Sequence, residues 1–516
     1  MAFLVLIFLP VAAVAWCRGK DAHVEAAIMG EAYGLRNATR WLPERTPPRG
    51  DDDWWGVVVE ELRRSVEAMT KDGRALEKTL RLRDHFVLVY ENRVVVHRKF
   101  FNHTKQSQHA KMIRSVWPPA SPFLHSFLPS RNKAVTSAQV VAELLPKKQR
   151  LANVAYSFSG ATTGYGQGNP LLVINKQFGY DQCGVLIPNT YFSAGNLSTW
   201  RAFERSVAPL PWTDRPPQND AAFWRGTVIF KPKCVDNWGN FARLQALSLA
   251  VQAPDLVDVG CVAMHGHDLR RSCVFGVDPH SCDGEPRPPA TWRRPKEDSL
   301  TKAVRKFVPV HDFAKRRVLL NLPGAKSGSY SRNLNVLWMM KSVVLLWNGP
   351  FVEWYYPALA HGVTHLAVDV ASLPETVARI RRDHREKEPA ALVANARKVH
   401  DTFLCADCIA NYFKHVVDEL RTRFDFGAVL DHPDKARAIF RRVGFDADCA
   451  DLVEIIDDPD TVLTPGSREI LTRSLRPDDP VCGGSRDEHG HRPSSQQQQQ
   501  QQQQEANYDL LRPIRA

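Results

Sequence analysis

Residues 318–357 (VLLNLPGAKSGSYSRNLNVLWMMKSVVLLWNGPFVEWYYP) limit the folds open to this chain more than any other stretch. Val318-Leu319-Leu320 is a short apolar run suited to a buried strand, and Pro323-Gly324 ends it. Ser327, Gly328, Ser329 and Ser331 make a small, polar loop. Asn333 to Lys341 is apolar nearly all round, as a helix buried between layers would be. Ser342 to Trp347 is a second apolar strand, and Asn348-Gly349-Pro350 turns the chain again. Strand, turn, helix and strand make a βαβ unit whose turn falls at the carboxyl end of a strand, where open parallel sheets bind ligands. Unpaired N–H groups and a helix start favour an anion there, and Arg332 can add a bidentate clamp. Read from these residues alone, the turn is either a phosphate-binding loop or a plain connection.

The rest of the chain sets the compartment and the class. Hydrophobic residues are 44% and charged residues 24% of 516, a globular balance in a chain long enough for two domains with extensions. The formal charge of +12 points to anionic partners. The basic residues are scattered, with no long tract or interleaved aromatic stripe, so nucleic acid is not the expected one. Residues 2–15 are apolar and end in Ala13-Val14-Ala15, which reads as a signal peptide over 1–15. No stable membrane span is expected after its removal. Asn37, Asn102 and Asn196 each open a glycosylation acceptor triplet. In such a compartment the ten cysteines are expected to pair. Cys405-Ala406-Asp407-Cys408 is then a local disulfide or two unrelated thiols, because it falls inside an apparent helical stretch over 388–422.

Helical spacing is expected over 54–81, a β-hairpin over 86–96, and strands near 152–158, 170–176 and 222–230. Residues 262–298 form a loop with His265, His267 and His280, without a compact metal-ligand spacing. Ser372 and Glu375 form a capping-box pattern. Phe445 to Asp451 lacks the glycine and third ligand of a calcium loop, and Gln496–Gln504 is a low-complexity run. The expected organisation is a 16–135 N-terminal extension, halves over 136–230 and 231–425, and a 426–516 tail.

Five elements in order resemble the capsule-associated-protein family of glycosyltransferases, which includes lumenal protein O-glucosyltransferases and fungal xylosyltransferases. They are Phe223-Trp224-Arg225-Gly226, Asn321-Leu322-Pro323-Gly324 with Tyr330-Ser331-Arg332, Phe351 to Pro357, Thr364 to Val368, and Leu373 beyond it. The likeness spans about 150–420. It implies an α/β chain of GT-B type, two Rossmann-like halves facing a cleft, with the irregular extension and tail outside. It also implies an inverting transfer from a UDP-sugar, glucose or xylose favoured, to a hydroxyl of a glycoprotein or glycan acceptor, with no cofactor and no metal. Arg225, Gly226, Gly324, Ser329, Ser331, Arg332 and Glu353 are the implied nucleotide-sugar-binding residues, and Gly195 and Trp200 lie on the sugar or acceptor side. The family's catalytic Asp has no counterpart in Tyr156 to Thr163; Asp181 is the nearest acid and the candidate base. A catalytically inactive nucleotide-sugar or glycan-binding protein is the alternative reading.

Overall fold

The structure is a computed structural model. It describes residues 51–99, 138–143, 151–159, 169–177, 184–188, 197–229, 238–262, 273–274, 300–324, 334–383, 387–455 and 472–482, apart from 70, 71, 84, 139, 140, 208, 216–219 and 350. The leader, the acceptor asparagines Asn37, Asn102 and Asn196, and the glutamine run lie outside the described residues. Sixteen strands are named in chain order: β1 Phe86–Tyr90, β2 Arg93–His97, β3 Val154–Ser159, β4 Leu171–Val173, β5 Lys176–Gln177, β6 Val185–Leu186, β7 Ala222–Gly226 and β8 Val228–Ile229. The later eight are β9 Val257–Cys261, β10 Cys273–Val274, β11 Val318–Asn321, β12 Val343–Trp347, β13 Phe351–Val352, β14 Leu366–Val368, β15 Leu452–Ile455 and β16 Thr472–Ser474.

The described residues are α/β, with a seven-stranded mixed sheet, a five-stranded all-parallel sheet and two small two-stranded sheets, of which β8 with β10 is parallel. The parallel sheet has the order β14-β12-β11-β7-β9. Numbered by its own strands from the first in sequence, that is 2-1-3-4-5 from the β9 edge, one of the two common doubly wound orders. Burial on both faces explains why the inner strands β11 and β12 read as continuous apolar runs. Phe223, Leu319, Val344 and Leu346 face the larger core, while Trp224, Leu320, Val343 and Leu345 face a second core built with Leu244, Leu247 and Leu249 of the helix Trp238–Gln252. The alternation follows the two-residue strand period.

The mixed sheet runs β16-β15-β2-β1-β3-β4-β6. Its parallel part is β3-β4-β6, and the hairpin β1-β2 adds to it antiparallel through β1. Segments expected outside the two halves therefore belong to this sheet. The hairpin falls within 16–135 and β15 within 426–516, yet β15 pairs with β2 along Leu452↔His97 to Ile455↔Val94. Backbone pairing of this range is non-local, and local composition carries no signal for it. A two-stranded ribbon, β5 with β13, joins the chain after β4 to the chain after β12.

Three local expectations are revised. The helix expected over Asn333–Lys341 is one turn, Leu334–Leu337, followed by turns that bring Lys341 to φ 52°. The 388–422 helix is two, Lys387–Val399 and Ala406–Arg423, separated by a π turn at His400–Leu404. Ser372 precedes the helix Leu373–Arg382 but makes no side-chain cap; its hydroxyl binds Asp369 Oδ1 at 2.8 Å instead. The nearby Asp369 competes for the serine, and the capping box does not close.

Three disulfides join described cysteines: Cys261–Cys273, Cys405–Cys408 and Cys449–Cys482. This oxidised state fits a secreted or lumenal protein. Among the described residues no helix is long and apolar enough to cross a membrane.

Candidate functional site

Adjacent strands β7 and β11 leave the sheet for opposite sides. The chain after β7 returns at β9, on one edge, and the chain after β11 returns at β12, toward the other. Such a switch point opens a crevice beyond the carboxyl ends of the two strands. Arg225 and Gly226 end β7, and Asn321 to Gly324 end and follow β11, so the two sequence elements singled out for anion binding lie at the carboxyl ends of neighbouring strands. Ser329, Ser331 and Arg332, which continue the second loop, lie outside the described residues, as do Asp181 and Gly195.

The two faces of β7 do different work. On one, Arg225 is folded back over the Phe223 ring at 4.4 Å. Its Nη2 meets Asp258 Oδ1 at 2.6 Å and its Nη1 donates to the Asp258 carbonyl at 2.6 Å. Register puts Asp258 directly beside Phe223, within reach of a side chain two residues on. Arg316 covers the same ring at 4.3 Å and approaches Asp258 Oδ2 at 3.5 Å. Burial pulls the Arg225 guanidinium below its usual range; Asp258 opposes this, and the charges of Arg316 and Arg305 add to the fall. Two guanidinium groups, those of Arg225 and Arg316, thus share the Asp258 carboxylate, and Arg225 is turned back along β7 rather than held out beyond its carboxyl end. The sequence pointed to Arg225 alone, since Arg305 and Arg316 stand outside every motif.

On the other face Trp224 lies over Gly226. A Cβ built at 226 would fall 2.4 Å from Trp224 Cζ2 and 2.7 Å from Cη2. The glycine of Phe-Trp-Arg-Gly is required by this close approach rather than by a positive φ. Arg243 stacks on the same indole at 5.3 Å. Its Nε donates to the Pro323 carbonyl at 2.9 Å and its Nη1 to the Thr227 carbonyl at 2.7 Å. One buried guanidinium from the helix Trp238–Gln252 therefore ties the loop after β7 to the loop after β11. Sequence reasoning missed Arg243. Its only signal is that it is the single charged residue of this helix (WGNFARLQALSLAVQ). Asn321, at the end of β11, is 2% exposed, and its Oδ1 has no hydrogen-bond partner among the described residues.

Gly226→Ala follows from this packing. The added methyl must push the indole aside, at about 1–3 kcal/mol of stability for overpacking a core. It should also loosen the Arg243 bridge. Chemical denaturation would read the first effect, and protease sensitivity at 227–237 the second. A variant as stable as the parent, with unchanged cleavage, would refute the stacking.

Glu353 follows β13 on the carboxyl edge and is 1% exposed. Burial, followed by the Glu353 charge, pushes the Tyr355 hydroxyl well above its usual range. The aromatics after Glu353 are structural: Trp354 lies 4.1 Å from the Tyr412 ring, and Tyr355 accepts from Trp338 Nε1 at 3.1 Å. Trp200 is 1% exposed, stacks on Phe203 and donates its Nε1 to the Leu404 carbonyl at 2.7 Å. It is packed in the core and is not brought to the crevice. Among the described residues no group of His, Cys, Asp and Glu is arranged to hold a metal.

In comparisons with known proteins, no family model matches the chain and no curated sequence matches it.

Proposed function

We propose that the chain is an inverting glycosyltransferase of GT-B type that moves a sugar, glucose or xylose favoured, from a UDP-sugar to a hydroxyl of a protein or glycan, without a metal. The observation that carries this reading is the coincidence of the resemblance with the topology. The Phe-Trp-Arg-Gly and Asn-Leu-Pro-Gly elements end the two strands at the switch point, where a nucleotide would lie. As the sugar departs, negative charge develops on the UDP, and fixed donors must meet it. Arg332 and the backbone N–H groups of the loop after Gly324 would supply them, with Arg225 joining if the anion draws it from Asp258. Glu353 would accept hydrogen bonds from the ribose hydroxyls. The acceptor hydroxyl needs a base, for which Asp181 is the candidate, in a secretory compartment.

A binding-only protein is the second reading, favoured by the lack of a carboxylate in Tyr156 to Thr163. Purified protein offered a panel of nucleotide sugars, with UDP release as the readout, separates the two. Turnover of one donor is expected, and tight binding of UDP without any turnover would select the binder. Arg332→Ala should weaken UDP binding by about 1–3 kcal/mol in calorimetry, the range for losing a charged hydrogen bond. Unchanged affinity in a folded variant would remove the loop from the site.

A further inference from the structure

The three disulfides differ in what they can contribute to the fold. Cys261 is fully buried with its partner Cys273 half-buried, and Cys449 and Cys482 are 6% and 5% exposed. Those pairs close separations of 12 and 33 residues, whereas Cys405 and Cys408 close only 3 and are each half-buried. So short a loop removes the least entropy from the unfolded chain. Cys405 is not inside a helix, as the sequence suggested, but is the N-cap of the helix Ala406–Arg423. Its Sγ accepts the Cys408 backbone N–H at 3.1 Å.

The same hydrogen bond would hold a Cys405 thiolate once the disulfide opens, and the positive end of an 18-residue helix adds to it. The two nearby carboxylates that would oppose a thiolate are each engaged by a cation. Asp407 meets Arg201 at 2.5 Å, and Asp401 meets Arg397 at 2.8 Å and His400 at 2.9 Å. The turn itself is anchored independently of the sulfurs. Phe403 and Leu404 are fully buried, Trp200 holds the Leu404 carbonyl, and the Cys405 N–H donates to the His400 carbonyl at 3.0 Å. Opening the bond would leave the backbone in place.

We propose that Cys405–Cys408 is a thiol–disulfide exchange site whose substrates are thiols. A partner thiolate attacks Cys408 Sγ. The Cys405–Cys408 bond breaks, its electron pair leaves on Cys405 as the held thiolate, and a mixed disulfide forms on Cys408. A second partner thiolate attacks the partner sulfur of that mixed disulfide and releases Cys408. Two electrons pass to the pair, the two partner thiols become a disulfide, and their two protons are left to Cys405 and Cys408 or to solvent. The proposal is independent of the glycosyltransferase reading.

The full-length oxidised protein would be equilibrated in graded glutathione buffers, alkylated, and mapped by peptide mass spectrometry. Cys405–Cys408 is expected to open while Cys261–Cys273 and Cys449–Cys482 stay closed. At pH 7, Cys405 in Cys408→Ser should react with iodoacetamide about threefold faster than Cys408 in Cys405→Ser, the larger thiolate fraction being partly offset by the lower nucleophilicity of a stabilised thiolate. A reduced peptide with two cysteines, offered beside glutathione, distinguishes a protein thiol from a small one, and faster opening by either supports the site. Opening only together with Cys261–Cys273 and Cys449–Cys482, or equal alkylation rates in the two variants, would overturn it. The first arm uses no substitution, so a variant that misfolds does not decide the matter.

Discussion

Arg215→Met is expected to cost about 3–5 kcal/mol of stability, because it leaves several buried carbonyls without their donor. Arg215 is 1% exposed. It donates to the Leu210 carbonyl at 3.1 and 2.8 Å, to the Met340 carbonyl at 2.5 Å, to Ser342 Oγ at 2.7 Å and to the Arg316 carbonyl. Burial, with a smaller push from Arg317, lowers its guanidinium to about 10, so it remains a cation at neutral pH. These contacts pin the loop around Leu210 to the chain just before β11 and β12, the amino edge of the parallel sheet. Removing the side chain strands several carbonyls in a site that water does not readily reach, each at about 1–3 kcal/mol. Arg215→Lys should recover only part of this, since an ammonium cannot span the planar fork. Urea titration of both variants checks the order, and a loss below about 1 kcal/mol for Arg215→Met would show that the loop repacks.

The second large effect is an acid-linked loss of stability through His365. The side chain is fully buried; its Nδ1 shares a hydrogen with Thr364 Oγ1 at 2.9 Å, and the edge of Trp338 lies against it. Its Nε2 has no hydrogen-bond partner among the described residues. Burial first, then the charge of His361, pushes the ring down to about 3 from an ordinary 6.5. Between those values the unfolded chain binds a proton that the folded chain refuses. Stability is therefore complete above about pH 6.5 and lost as pH falls, by up to about 1.4 kcal/mol per unit. From pH 7 to pH 5 this group should remove about 2 kcal/mol, integrating over the part of the window crossed. His365→Asn, unable to titrate, should lose about that much less than the parent over the same interval. Equal losses in parent and variant would exclude His365 as the acid sensor.

These two residues mark how far a linear reading reaches. The apolar runs at 318–320 and 342–347 identified β11 and β12 because strands buried on both faces need no alternation. The breaks at Pro323-Gly324 and Asn348-Gly349 marked where the chain turns. The apolar stretch between them predicts a longer helix than the single turn found, because it satisfies a buried turn as well as a buried helix. The apolar period through 388–422 predicts Cys405 inside a helix, whereas the π turn that shifts it depends on how His400 and Phe403 pack.

By itself, the sequence determined the two central apolar strands and the breaks that end them, which follow from neighbours along the chain. Only the tertiary structure decided that β7 and β11 lie side by side at a switch point, that Arg225 turns toward Asp258, and that Arg243 bridges the two loops. It alone joined β15 to the hairpin and set Arg215 among backbone carbonyls. The physical reason is distance along the chain: Arg243 meets Pro323 across 80 residues and Arg215 meets Met340 across 125, so no local period records either contact.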